Sequence, residues 1–169
     1  MKVGTVKEIK THEYRVGLVP ASVRELTHHG HSVIVETGCG ARIGFDDDAY
    51  RQVGADIMAT ASEIFEAAEM IVKVKEPQPV ECEMLRRGQI LFTYLHLAAD
   101  EAQTRALAKS GATCIAYETV TDQHGHLPLL VPMSEVAGRM SIQVGAHYLE
   151  KEPGGSVLSA AAALVARRP

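Results

Sequence analysis

Apolar and polar positions alternate along the chain in blocks of two kinds. Short runs of β-forming residues, "KVGTV", "HSVIVE", "EMIVKV", "QILFTYLH" and "ATCIAYE", are each bounded by Gly, Pro or charged residues and read as strands. Segments with helical spacing lie between them: "PASVRELTHHG", "DDDAYRQVGA", "ASEIFEAA", "PVECEMLRRG" and "DEAQTRALAKSG". Pro20 suits a first helical turn and Gly30 the matching stop, with His28 and His29 in the last turn, where cationic character is favourable. Strands that are apolar almost throughout and separated by helices predict a parallel sheet covered on both faces. The rhythm breaks at "VTDQHGHLPLLVP", which reads as a loop. The longest helical pattern follows, "MSEVAGRMSIQVGAHYLEKE", with Met133, Val136, Met140, Val144 and Tyr148 near helical spacing and Ser134 as its expected N-cap. Pro153, Gly154 and Gly155 are expected to stop it.

The predicted architecture is therefore α/β: a Rossmann-like or flavodoxin-like parallel sheet with helices on both faces, then a long connecting helix. Its expected parts are an α/β domain over 1–130, the helix over 131–152 and an atypical tail over 153–169. That tail, "GGSVLSAAAALVARRP", is rich in Ala and carries no acid, and a truncated or frame-shifted end is one expectation for it.

Composition narrows the function. Apolar residues make up 46% of the 169, enough for a real core, while aromatics are only 5%, so aliphatic side chains must fill it. A net charge of -4 argues against a nucleic-acid binder that works through bulk positive charge. No apolar stretch approaches the ~20 residues that cross a bilayer. The N-terminus shows no signal-peptide core, and Cys39, Cys82 and Cys114 form no C-x-x-C. A cytoplasmic protein with no disulfide framework and no metal site is expected.

"TGCGARIG" follows a strand, as a nucleotide-binding glycine loop should. The spacing of Gly38, Gly40 and Gly44 is one residue too long, however, and "FDDD" would repel a pyrophosphate, so the stretch reads as a turn-rich loop. His28, His29 and His31, like His124 and His126, lack metal spacing and read as surface. His96 differs, because it ends an apolar run. In open α/β sheets, ligands bind beyond the carboxyl ends of the strands. Arg15 follows the first strand, and Lys75, His96 and Glu118 each end a later one. Strand ends are also wet and carry charge in any protein, so spacing alone leaves plain surface as an equal reading. The residue types favour a site. Arg binds a carboxylate with a planar fork, Lys polarises a carbonyl oxygen and His moves a proton near neutrality. A small 2-oxo acid suits all three.

"EYRVGLVPASV", "VKVKEPQ", "ILFTYLHLA", "IAYETV" and "LPLLVPMSEVAGRMSIQVGAHYLEK" closely resemble the N-terminal part of bacterial L-alanine dehydrogenases, from Met1 to about Glu152. The family is similar to the α subunit of the proton-translocating nicotinamide nucleotide transhydrogenases. The resemblance implies NAD-dependent interconversion of L-alanine with pyruvate and ammonia, and a homo-oligomer, typically a hexamer. It implies Arg15 and Lys75 as substrate-binding residues, His96 as the proton donor and acceptor, and Ser134 as a cofactor contact. The family's Rossmann domain has no counterpart in these 169 residues, so the chain alone is expected to be inactive. The alternatives are a non-catalytic 2-oxo-acid-binding module and a transhydrogenase-α-like fragment. Within "KVKEPQP", Pro77 is expected to end the strand, leaving Lys75 at the rim of a cleft and Lys73 one pleat back, paired with a carboxylate or snorkelling to the surface. In a full-length version carrying this segment, Lys75→Ala should then abolish most activity and Lys73→Ala do less harm.

Overall fold

The computed structural model describes residues 1–150. The chain divides into two compact units, Met1–Thr119 and a second that begins at Val120. The first unit is a six-stranded sheet: β1 (Lys2–Thr5), β2 (Ser32–Glu36), β3 (Ala55–Met58), β4 (Met70–Val72), β5 (Ile90–Thr93) and β6 (Thr113–Ala116). Five helices connect the strands: α1 (Pro20–His28), α2 (Asp47–Arg51), α3 (Ala61–Ala67), α4 (Pro79–Met84) and α5 (Glu101–Ser110). Every strand pairing is parallel, and the order is β3-β2-β1-β4-β5-β6. This is the strand order of the Rossmann-type doubly wound sheet, and its direction of winding reverses between β1 and β4.

Alternation along the strands builds two cores. Ile34, Ile71 and Leu91 join Ile64 and Phe65 of α3, Cys82 of α4 and Leu107 of α5 in one cluster. Val3, Val33, Val35 and Val72 join Val23 of α1 and Tyr50 of α2 in the other. A side chain at Gly4 would meet Ile64 Cγ2 at 2.5 Å, so glycine lets α3 lie directly on β1. Local signals fix the helix ends. Asp46 and Asp100 accept from Ala49 N and Gln103 N, and Thr60 with Glu63 forms a capping box.

The sequence reading missed β3. Its four residues include Asp56, and it pairs only with β2 at the sheet edge, so its apolar signal is half that of a central strand. The strand expected to run through Val74 has regular pairing only to Val72. In the second unit, α6 spans Val131–Leu149. The expected N-cap at Ser134 is not observed: Leu130 is the N-cap, Pro132 lies in the first turn, and Ser134 N donates to Leu130 O at 3.1 Å inside the helix. Proline's preset φ is the start signal here, and it stands ahead of the serine. The helix expected over 131–152 ends at Leu149, with Glu150 as its C-cap in extended backbone, ahead of the expected stop at 153–155; the tail over 153–169 lies outside the described residues.

Candidate functional site

Three loops beyond the carboxyl edge of the sheet carry the polar residues singled out by sequence. The first joins β1 to α1. Val16 and Leu18 bury themselves in the core beside it, and Tyr50 Oη donates to Leu18 O at 3.0 Å. Gly17 lies against the end of β4 so closely that a Cβ would sit 2.3 Å from Val72 O. Arg15, half-buried, is thereby held at the β1–β4 reversal. Its side chain is gripped by Glu13: Nε donates to Oε1 at 2.8 Å, Nη2 to Oε2 at 2.6 Å, and the Arg15 backbone N to Oε1 at 2.9 Å. This bidentate bond, outweighing burial, holds the Glu13 carboxyl below the usual carboxylate range, with the charges of Arg15 and then Lys75 adding to it. The same bond raises Arg15 against its own desolvation.

The second loop follows β4 and separates the two lysines. Lys73 is fully buried, its Nζ 2.6 Å from Glu81 Oε1 and 3.2 Å from Glu8 Oε2, and both glutamates are themselves buried side chains. Glu8 also receives the backbone N–H of Val74 at 2.6 Å and that of Lys75 at 3.3 Å. Glu81 Oε2 receives Gln78 N at 2.8 Å, at the start of α4. The buried ion cluster therefore ties the β1 loop, the end of β4 and α4 together, and sets the backbone from which Lys75 projects. Lys75 is half-buried, and its carbonyl accepts from Thr93 Oγ1 at 2.9 Å. Past Val72, the last regularly paired residue of β4, Lys73 N still donates to Phe92 O at 3.1 Å and Tyr94 N to Val74 O at 3.2 Å.

The third loop follows β5. His96 has left-handed backbone (φ 51, ψ 37), a conformation that costs a non-glycine residue about 1–3 kcal/mol and needs outside support. Glu118, just after β6, provides it: its carboxylate receives the N–H of His96 at 2.7 Å and of Leu95 at 3.1 Å. Burial pushes the Glu118 carboxyl up, but the backbone N–H groups of His96, Glu118 and Leu95 outweigh it and hold the carboxyl below its ordinary value. The His96 ring stacks on Tyr94, centroids 6.1 Å apart and planes 16° apart, and Tyr94 is braced edge-on by Tyr117 at 5.0 Å. Burial raises the Tyr94 phenol, while the positive charge of Arg15 pulls it back. An open cavity of ≈ 370 Å³ borders His96 and Glu118; Arg15 and Lys75 are not among its lining residues.

Arg15, Lys75, His96 and Glu118 are thus placed on neighbouring loops at one sheet edge, linked through Glu13 and Tyr94. Ser134 lies in the second unit, near the start of α6. Sequence reasoning missed Glu13, Tyr94 and Glu8. Glu13 had a signal: it is an acid only two residues from the arginine that it grips. Glu8 had none, because its partners Lys73, Val74 and Lys75 are remote in sequence; Tyr94 lies two residues from the His96 ring that it stacks on. The glycine loop after β2 holds an acid where a phosphate would need donors: Asp47 accepts from Thr37 Oγ1 at 2.6 Å and Gly38 N at 2.7 Å. Among the described residues, no group of three or more His, Cys, Asp or Glu could hold a metal ion.

The profile of the family "Alanine dehydrogenase/PNT, N-terminal domain" matches residues 4–137. The chain belongs to this family. An alanine dehydrogenase of Halomonas elongata is 55% identical over 156 residues, covering 92% of this chain and 42% of that protein. A solved L-alanine dehydrogenase superposes with a TM-score of 0.83 at 50% identity, over 92% of this chain and 43% of the other. A transhydrogenase from Sinorhizobium meliloti matches with a TM-score of 0.67 and 28% identity, over 73% of this chain and 35% of the other. The chain spans less than half the length of these relatives. Membership in the family thus covers the sheet and the three loops just described.

Proposed function

We propose that this chain is the substrate-binding part of an NAD-dependent L-alanine dehydrogenase, interconverting L-alanine with pyruvate and ammonia. The observation that carries this reading is the convergence of Arg15, Lys75 and His96 on the β1–β4–β5 edge, where doubly wound sheets bind ligands. Arg15 binds the substrate carboxylate. Lys75 donates to the keto oxygen and stabilises the negative charge that gathers there. His96, held out of the β5 run by Glu118 and stacked on Tyr94, transfers a proton at that oxygen. Two cations suit an anionic 2-oxo acid better than a neutral ligand.

The described residues do not fit a complete NAD site. The loop from Gly38 to Gly44 is closed by Asp47, and Ser134 is assigned to the cofactor only by likeness to the family. On the same likeness residues 1–130 are the substrate-binding part and α6, Val131–Leu149, is the inter-domain helix, and the protein works as a cytoplasmic homo-oligomer. No helix among the described residues is long and apolar enough to cross a membrane.

Calorimetric titration of the 169-residue chain with pyruvate and, separately, with NAD tests the reading. Saturable pyruvate binding that Arg15→Gln removes is the expected result. A chain that folds and takes up no pyruvate at millimolar concentration would sink it.

A further inference from the structure

Lys75 projects from backbone that has left the regular pairing of β4 with β1. The two strands pair only as far as Thr5 and Val72. Beyond Thr5 the chain brings in Glu8, whose carboxylate takes the place of the missing strand: Oε1 accepts the N–H of Val74 at 2.6 Å and that of Lys75 at 3.3 Å. Val74 is buried, so its N–H needs such an acceptor. At the other end of the residue, Thr93 Oγ1 donates to the Lys75 carbonyl at 2.9 Å. Lys75 is therefore held at both its peptide groups, by side chains in place of a strand partner.

Glu8 is fixed in its turn. Its side chain is only 2% exposed, and Oε2 lies 3.2 Å from Lys73 Nζ, which is fully buried and also bonded to Glu81 at 2.6 Å. Glu81 alone balances that ammonium. A second buried carboxylate is surplus to charge balance, and what it adds is the grip on the two backbone N–H groups. We propose that Glu8 is a positioning residue for Lys75: without touching the ligand, it fixes the backbone at Val74 and Lys75 and so aims the Lys75 ammonium at the ligand oxygen. A charged donor on a flexible stem loses less freedom on binding when the backbone beneath it is already fixed. The inference rests on the reading of Lys75 as a substrate-binding residue, and adds the group that directs it.

Two variants remove the Glu8 charge and differ in one respect. Glu8→Ala leaves the Val74 and Lys75 N–H groups without their acceptor, whereas Glu8→Gln keeps an amide oxygen for them. Either leaves Lys73 paired with Glu81. On the 169-residue chain, Glu8→Ala should weaken pyruvate binding by about tenfold or more in calorimetric titration, the range of one hydrogen bond to a charged group. Residue-resolved amide exchange should quicken at Val74 and Lys75. Glu8→Gln should restore most of both. A purely structural role would set the two variants level and spread faster exchange over the whole sheet. Unchanged pyruvate binding by folded Glu8→Ala would overturn the proposal, as would equal losses in the two variants. Should Glu8→Ala not fold, Glu8→Asp decides. It keeps the charge and draws the oxygens back by one methylene, so weaker pyruvate binding and quicker exchange at the two amides are expected, and binding like that of the unmodified chain overturns the proposal. Lys75→Ala separates the two readings. If it binds pyruvate as the unmodified chain does, or if the unmodified chain takes up none, the assignment of Lys75 falls and this inference with it. If Lys75→Ala weakens binding and Glu8→Ala does not, this inference alone falls.

Discussion

Lys73 is sealed between two buried glutamates, whereas Lys75, two residues on, stands half-exposed at the site. Their substitutions should fail differently. Lys73→Ala strands the Glu8 and Glu81 carboxylates without their counter-ion, a change that costs about 3–5 kcal/mol in buried pairs. Denaturant unfolding should show that loss. Lys75→Ala should unfold like the unmodified chain and lose pyruvate binding. Lys73→Ala, expected from the sequence to harm activity less than Lys75→Ala, should therefore be the more damaging of the two to stability. Glu118 gives a pH prediction. Its folded carboxyl ionises at lower pH than its unfolded one, so between the two values the unfolded chain binds more protons. The stability it adds is complete above the unfolded value of about 4.3 and is lost as pH falls through the folded value. Thermal melts of Glu118→Gln and the unmodified chain should differ most above about pH 5 and converge in acid. A gap that widens on acidification would contradict the bonding described for this carboxylate.

Among the elements, the contact between the Arg15 loop and the end of β4 is the most sensitive. Gly17→Ala would drive a methyl group into the Val72 carbonyl, and backbone cannot step aside as a side-chain tip can. Overpacking of this kind costs about 1–3 kcal/mol. Because the strain falls between Arg15 and Lys75, pyruvate affinity should drop even in protein that remains folded. Circular dichroism melts with pyruvate titration will separate the two effects; unaltered melting and affinity would show that the loop has slack. Helix ends were legible to the extent that their signals are local. Pro20 and Asp100 mark starts in the sequence and in the fold. The start of α6 was misplaced because a serine was preferred to the proline two residues before it. Strand β3 was lost because an edge strand buries one side of a short, interrupted run.

At the scale of the molecule, a sheet with order β3-β2-β1-β4-β5-β6 gathers Arg15, Lys75 and His96, but hydride transfer needs a nicotinamide held against the substrate carbon. The only glycine loop of nucleotide-like appearance among the described residues is closed by Asp47. The 169-residue chain, purified alone, should therefore bind pyruvate while showing no NADH oxidation with pyruvate and ammonia. Absorbance at the NADH band reads this directly, and sustained turnover would show that the described residues understate the cofactor site.

Periodicity and punctuation by themselves determined the parallel α/β class, five of the six strands, and the placing of Arg15, Lys75, His96 and Glu118 at carboxyl ends. Those features depend on neighbours in sequence, through alternation, helical spacing and proline's fixed φ. Only the tertiary structure decided that Lys73 turns inward to Glu8 and Glu81, that Glu13 holds Arg15, and that Glu118 supports the left-handed backbone of His96. Apart from Glu13 and Arg15, each of these pairs comes from different loops or elements. A carboxylate finds its partner through space, and the fold, which sets β1 beside β4 and β5 beside β6, supplies the proximity that the order of residues does not contain.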